Sequence, residues 1–175
     1  MGHFGRTLFG LTTLTVLALW LTDAAPARQG ADPAIRVDKI KYPDLSKLVR
    51  SHKGKVVVVD FWADFCVPCK REFPHLVELH NKYKNDGFVA VSVALDDPAD
   101  AEARARIVKF LEKQNAGGLT NLQLDEPSEL WQRKLGVAGP PCVYVFNREG
   151  RIAGKWDDNV EYGEIEKAVA ELMKK

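Results

Sequence analysis

Hydrophobic and polar positions follow two different spacings along this chain, and these predict strands and helices in turn. Apolar runs that continue without regular alternation are typical of strands buried on both faces of a sheet. Such runs occur at residues 55–62, 88–95 and 142–147. Apolar residues at helical spacing predict helices at residues 42–50, 69–83, 99–114 and 127–135, and a closing helix around Ile165, Val169 and Leu172.

Two shorter segments complete the predicted sheet. Residues 121–124 predict a strand at its edge, and residues 151–156 predict an antiparallel partner for the strand at 142–147. The order of elements predicts an α/β fold with a central mixed β-sheet and helices on both faces. The helix at 99–114 is expected to turn one face to the core, formed by Ala101, Ala105, Val108 and Leu111.

The N-terminal part of the chain has a different pattern. Residues 8–21 are apolar and uncharged, and small residues follow them. Because this stretch is short for a membrane span, we predict a secretory signal peptide at residues 1–27, with an uncleaved membrane anchor as the alternative. The remaining chain is then a lead-in segment at 28–54 and a domain at 55–175, located in the periplasm or outside the cell.

Charge excludes two classes of partner. The chain has 25 Lys and Arg against 24 Asp and Glu, and no basic block. Binding to nucleic acid or to an anionic membrane surface depends on clustered positive charge. We therefore expect neither partner.

Two of the three cysteines, Cys66 and Cys69, stand where the strand at 55–62 gives way to a helix. The positive end of the helix dipole stabilises a thiolate there, which makes Cys66 the candidate nucleophile. Cys69 lies one turn further on and can attack a mixed disulfide on Cys66, which makes it the candidate resolving thiol. A disulfide across so short a loop adds little stability, so a redox role is favoured over a structural one.

The motifs around these cysteines resemble those of a known superfamily. The segment VDFWADFCVPCK with Pro74 resembles the thioredoxin signature, and GVAGPP resembles the loop that carries its cis-proline. With the leader and the stretch VAGPPCVYVFNREGRI, the chain is similar to the TlpA/ResA-like exported thiol-disulfide oxidoreductases. The resemblance covers most of residues 55–175 and implies a thioredoxin-like fold, and we expect the protein to be a monomer. It also implies reduction of protein disulfides in cytochrome c maturation, with a membrane electron donor.

The resemblance also implies roles for individual residues. Cys66 corresponds to the exposed nucleophile and Cys69 to its buried partner, while Pro141 corresponds to the cis-proline beside the dithiol. Side chains and backbone around the dithiol are expected to contact the substrate, namely Trp62, Val67, Pro68, Pro140 and Pro141.

Asp60 is an unusual residue within the apolar run VVVVDFW. An ionised carboxylate is costly to bury there, so its pKa should rise. In the resembled superfamily the matching acid helps to deprotonate the buried cysteine. We therefore predict that Asp60 accepts the proton of Cys69 when the mixed disulfide resolves. The alternative is a structural Asp hydrogen-bonded at a strand edge.

The chain departs from thioredoxin at three positions. Ser92 takes the place of the lysine that partners the buried acid, so we expect Asp60 to ionise less readily. Val67 replaces a glycine between the cysteines and can change the redox potential. Pro140 has no N–H, so a substrate backbone can pair there only through the carbonyl.

The third cysteine and the histidines allow other functions. Cys142 is expected to face the core, because strand side chains alternate, although it could serve as a third redox group. A zinc site could combine the CxxC pair with Cys142 and His75 or His80, but the ligand spacing is poor. A copper-delivery module is a separate alternative, but relatives of that kind have a wider cysteine spacing and a distant histidine. A non-catalytic binding module on a thioredoxin fold is a further alternative. We expect no organic cofactor and no metal.

Overall fold

The computed structural model describes residues 1–3 and 35–174. All but the first three residues of the predicted signal peptide lie outside the described residues, as does the beginning of the predicted lead-in segment. Within the described part of the chain, no helix combines the length and apolar character needed to cross a membrane.

A mixed sheet of six strands, in the order β1-β4-β3-β2-β5-β6, forms the centre of the fold. The strands are β1 (Asp38–Ile40), β2 (Val56–Trp62), β3 (Phe88–Ala94), β4 (Thr120–Leu124), β5 (Cys142–Phe146) and β6 (Ile152–Asp157). The first four run parallel, whereas β5 is antiparallel to both β2 and β6. Every residue of β2 is buried, which explains its continuous apolar run and makes Asp60 an exception within it.

The described residues also form five α-helices and a short 3₁₀ turn at Ala116–Gly118; four of the helices connect strands and the fifth follows β6. They are α1 (Tyr42–Ser51), α2 (Val67–Tyr83), α3 (Ala101–Lys113), α4 (Ser128–Leu135) and α5 (Tyr162–Met173). The Asp100 carboxylate caps α3 by accepting from two backbone N–H groups, and Gly136 ends α4 with a φ of 65°. The predicted helices and strands are all present, with ends shifted by a few residues.

The helices cover both faces of the sheet, which confirms the predicted fold class. On one face α2, α3 and α5 pack against a cluster that includes Val56, Val58 and Trp62. On the other face α1 and α4 pack against Val57 and Val59. Alternate residues of β2 point to opposite faces of the sheet. Asp60 therefore lies on the same face as Val58 and Trp62, which is the face covered by α2 and α5.

Residues 38–51, predicted as part of a lead-in segment, contribute a strand and a helix to the fold. β1 pairs in parallel with β4, so β4 is an interior strand and its prediction as an edge strand was wrong. The guanidinium of Arg104 on α3 donates to the Val37 carbonyl at 2.6 Å. This hydrogen bond holds the segment just before β1 against α3. Leu45 and Val49 of α1 are buried in the second core layer.

The buried face of α3 also differs from the prediction. Its buried residues are Ala103, Ile107 and Leu111. Ala101 and Ala105 are exposed, so their placement was wrong, whereas Leu111 is buried and the half-buried Val108 packs against the same core. Alanine is small enough for either environment, so the spacing of the alanines does not define a face. The position of the large side chain of Ile107 does define the buried face.

Leu45→Ala tests how far α1 contributes to the stability of the domain. Leu45 is 3% exposed, so its truncation leaves a cavity and should lower the free energy of unfolding by roughly 2–5 kcal/mol. Urea denaturation measures this difference. Lys47→Ala, at an exposed position of the same helix, is the control and should change the value by about 0.5 kcal/mol or less. Equally small effects of both substitutions would contradict a structural role for α1.

Candidate active site

The two cysteines form a disulfide where β2 leads into α2. Their Cα atoms are 5.3 Å apart, and Cys66 is the N-cap residue of α2. The Cys69 N–H donates to Sγ of Cys66 at 3.2 Å, so the Cys66 sulfur lies against the free N–H groups of the helix start. A thiolate at this sulfur would therefore be stabilised by the helix, as the sequence predicted.

The cysteines are less accessible than expected. Cys66 is 6% exposed and Cys69 4%, so the prediction of an exposed Cys66 does not hold for the disulfide form. The neighbouring residues Phe65 and Val67 are each 72% exposed. Because these two apolar side chains stand on either side of Cys66 in the chain, they form a surface beside its sulfur that a substrate could cover. Phe65 was not among the residues predicted from the sequence, although its position beside Cys66 could have suggested it.

The proline loop lies beside the dithiol. The bond between Pro140 and Pro141 is cis, as predicted. Pro141 is buried and lines a small cavity with Pro68, whose ring is otherwise exposed, and with Cys69. Pro140 is half-buried and, with Phe65, lines a separate open cleft of about 420 Å³. The structure thus brings Pro68 and Pro141 together beside Cys69, while Val67 adjoins Cys66 in the chain and Pro140 lines the neighbouring cleft.

Asp60 lies in the layer below the disulfide and is 4% exposed. The hydroxyl of Tyr162 donates to its Oδ2 at 2.6 Å. Burial raises the pKa of Asp60 to about 7, and the hydrogen bond from Tyr162 opposes this rise. Asp60, Tyr162 and Cys69 line one cavity of about 10 Å³, which is about the volume that a single water requires. This arrangement can pass a proton between the Cys69 thiol and the carboxylate.

Trp62 is placed differently from the prediction. Its side chain is fully buried, and its indole N–H donates to Oγ of Ser92 at 2.8 Å. Its ring packs on Phe73 and Phe110, with centroid distances of 5.3 and 4.9 Å. Trp62 is therefore not available to a substrate in this structure. Ser92 pairs with Asp60 across β2 and β3, but its hydroxyl accepts from the indole.

Tyr162 was not predicted from the sequence as a site residue. It lies at the start of α5 and 102 positions away from Asp60 in the chain. No periodicity or motif links the two residues. The only available signal was the rule that a buried polar group has a hydrogen-bond partner, and that rule does not say which residue supplies it.

A group of charged residues fixes the loop between β2 and α2. The Asp64 carboxylate contacts Arg106 Nε at 2.7 Å and Lys70 Nζ at 3.1 Å. Burial acts to raise the pKa of Asp64, but the hydrogen bonds and charges of Arg106 and Lys70 together lower it. The Asp64 N–H donates to the buried Asp96 carboxylate at 3.0 Å. These contacts hold the segment that leads into Cys66.

Cys142 belongs to the opposite core layer, packed with the residues under α1 and α4. It is fully buried, as predicted, and burial raises its pKa to about 12. Because Cys142 faces away from the dithiol, the Cys₃His set considered from the sequence is not assembled. His75 instead lies beside Glu78 and Glu166, at Nδ1 to carboxylate distances of 3.7 and 3.1 Å.

Comparison with known proteins agrees with this site. Residues 30–155 match the AhpC/TSA family. ResA, a thiol-disulfide oxidoreductase of Geobacillus thermodenitrificans, is 27% identical over 101 residues, which are 58% of this chain and 53% of ResA. The sporulation thiol-disulfide oxidoreductase A of Bacillus subtilis is 29% identical over 140 residues, 78% of this chain and 79% of that protein.

A solved structure gives the same fold. The thioredoxin domain of a thiol-disulfide oxidoreductase from Bacteroides vulgatus superimposes with a TM-score of 0.52 at 28% identity, covering 68% of this chain and 82% of that domain. These relatives agree with the resemblance drawn from the sequence. This chain spans about half the length of ResA, so the match concerns a domain and not the whole of that relative.

Asp60→Asn tests the pKa of the buried carboxyl through protein stability. Folding raises the pKa of Asp60 from 3.8 to about 7, so in this range the folded protein holds a proton that the unfolded chain has lost. Wild-type stability should therefore fall, relative to Asp60→Asn, by about 1.4 kcal/mol per pH unit as the pH rises from about 4 to 7, and then level off. Urea denaturation across this range measures the difference. Parallel curves for the two proteins would contradict the raised pKa.

Proposed function

The chain belongs to the AhpC/TSA family, and from this membership and the geometry of the disulfide we propose that it is an exported thiol-disulfide oxidoreductase of protein substrates. The observation that supports this most strongly is the arrangement of three features in one place. A cysteine pair able to form a disulfide begins α2, a buried carboxyl with a pKa of about 7 shares a cavity with Cys69, and a cis-proline loop adjoins both.

The first step starts from the reduced protein. The Cys66 thiolate, stabilised by the start of α2, attacks one sulfur of a substrate disulfide. A bond forms between Cys66 and that sulfur, and the substrate disulfide breaks. The electron pair of the broken bond leaves on the second substrate sulfur, which takes a proton from solvent.

The second step releases the substrate. Cys69 gives its proton to Asp60, and the resulting thiolate attacks Sγ of Cys66. The mixed disulfide breaks, the first substrate sulfur leaves as a thiolate, and the Cys66–Cys69 disulfide forms. Two electrons have passed from the protein to the substrate. A carboxyl with a pKa of about 7 suits this step because it is partly ionised at neutral pH and can both accept and later return the proton.

The surface around Cys66 fits an extended, partly apolar substrate segment. Phe65 and Val67 offer exposed apolar contact on either side of the sulfur. Pro140 can accept a hydrogen bond from a substrate backbone through its carbonyl but has no N–H to donate. We propose that Phe65, Val67, Pro68, Pro140 and Pro141 contact the substrate. Trp62, which was expected to do so, is fully buried and is not part of this surface.

A partner must restore the dithiol after each reaction. The reductant would be a second dithiol that supplies two electrons. By resemblance we propose that this dithiol belongs to a membrane electron donor. By the same resemblance the clients are apocytochromes, and the protein acts as a monomer in the periplasm or outside the cell. The exchange uses sulfur and proton transfer only, so no metal or organic cofactor takes part in the proposed steps.

Substitution of each cysteine tests the proposed division of roles. Cys66→Ser should abolish reduction of insulin disulfides, because no nucleophile remains. Cys69→Ser should accumulate a mixed disulfide with the substrate, because the resolving thiol is gone, and mass spectrometry would detect this adduct on Cys66. Cys142→Ala is the matched control, and its activity should stay near that of the wild type. Equal background activity in the wild type and Cys66→Ser would instead indicate a binding module.

The role of Asp60 is tested separately from that of the sulfurs. In Asp60→Asn, resolution of a preformed mixed disulfide at pH 7 should slow by roughly 10² or more, since a positioned base contributes about 10²–10⁴. Stopped-flow measurement of substrate release gives this rate. Asp44→Asn removes an exposed carboxylate on α1 and should leave the rate unchanged. An unchanged rate in Asp60→Asn would remove Asp60 from the mechanism.

A further inference from the structure

The hydrogen bond between Tyr162 and Asp60 connects the closing helix with the buried acid. We propose that Tyr162 is a positioning residue for the resolution step: its hydroxyl holds Oδ2 of Asp60 and leaves Oδ1 to take the proton of Cys69. This inference rests on the proposed function, because it assigns Tyr162 to the step in which Asp60 acts as the base.

The geometry of the pair supports this role. The oxygen atoms of Tyr162 and Asp60 are 2.6 Å apart, and the two residues are 1% and 4% exposed. Both line the small cavity that also contains Cys69. The cavity therefore joins the base, its hydrogen-bond donor and the thiol that must lose a proton.

The ring of Tyr162 is held in place from α2. It stacks on the ring of His75, with centroids 5.8 Å apart and planes inclined by 17°. His75 in turn contacts Glu166 of α5 at 3.1 Å. A hydroxyl on a ring packed in this way has little freedom to turn away from Asp60, so the carboxyl group keeps one orientation.

Burial and the neighbouring Asp60 make Tyr162 a donor and not an acceptor. Burial first, and then the adjacent Asp60, raise the pKa of Tyr162 well above its usual value, so its proton stays on the phenol. Oδ2 of Asp60 accepts this hydrogen bond, and Oδ1 is left to receive a transferred proton. The Tyr162 proton itself is not transferred.

Other titratable groups also lie near Asp60. Cys69 and Glu72 of α2 line the same cavity, and Cys142 of β5 is close enough to be affected by the charge of Asp60. Cys142 stays neutral because its pKa is about 12. Burial raises the pKa of Asp60, and the hydrogen bond from Tyr162 lowers it. Removing the hydroxyl should therefore raise that pKa and leave less of the base ionised at pH 7.

Tyr162→Phe removes the hydroxyl and keeps the ring that stacks on His75. NMR of ¹³C-labelled aspartate in the oxidised protein would follow the titration of Asp60. We expect its midpoint to rise by about one pH unit, since a hydrogen bond to a charged group is worth about that much. The pH profile of mixed-disulfide resolution should move upward by the same amount.

Tyr144→Phe is the matched control. Its hydroxyl donates to the Leu135 carbonyl at 2.8 Å on the other side of the sheet, so its loss should not move the Asp60 midpoint. If Tyr162→Phe fails to fold, 3-fluorotyrosine at position 162 keeps the ring and hydroxyl and is a stronger donor. It should lower the midpoint below the wild-type value.

Two results would overturn the proposal: an Asp60 midpoint that stays at the wild-type value in Tyr162→Phe or the fluorinated protein, or a shifted midpoint with an unshifted resolution profile. The titration does not depend on activity. A wild-type protein that fails to reduce disulfides, while its Asp60 midpoint still responds to the Tyr162 hydroxyl, would refute the proposed function and leave the hydrogen-bond role intact.

Discussion

The burial of one carboxyl group under the disulfide is the constraint on which the site depends. Taking an ionised carboxylate out of water is costly, and a protein reduces this cost by raising the pKa of the group or by giving it hydrogen bonds. Asp60 shows both responses, with a pKa of about 7 and a bond from Tyr162. A fully exposed Asp would remain ionised and be a weak base, whereas one buried without a donor would stay protonated. The observed balance lies between these limits.

The same constraint explains why the site needs elements from distant parts of the chain. Asp60 is on β2, the cysteines are at the start of α2, Pro141 precedes β5, and Tyr162 begins α5. These elements are distant in sequence and meet only because β5 pairs with β2 and α2 packs with α5 on the same face. The chemistry therefore appears only when the domain has folded, and the stability of the sheet is a condition for the pKa of Asp60.

Local patterns were sufficient to predict most of the fold and the centre of the site. Continuous apolar runs defined β2, β3 and β5, and the CxxC spacing with an acid in a buried strand pointed to Cys66, Cys69 and Asp60. Contacts between distant segments were not predictable in this way. β1 has three residues, too few for a periodic signal, and its pairing with β4 changed β4 from an edge to an interior strand. Tyr162 was missed for the same reason, and Trp62 was misplaced because an aromatic residue near a site can pack inward as readily as outward.

The sheet also separates two kinds of cysteine. Alternation along β5 sends Cys142 to the layer of α1 and α4, while Pro141 lines the cavity beside Cys69. Thiol exchange requires a thiolate, and a thiol whose pKa is about 12 is almost never ionised at neutral pH. In the proposed mechanism Cys142 therefore does not compete with Cys69 for the mixed disulfide, although the three sulfurs belong to one small domain. A strand register shifted by one residue would turn Cys142 toward the dithiol, so the pairing of β5 with β2 determines which thiols can exchange electrons as well as which residues form the core.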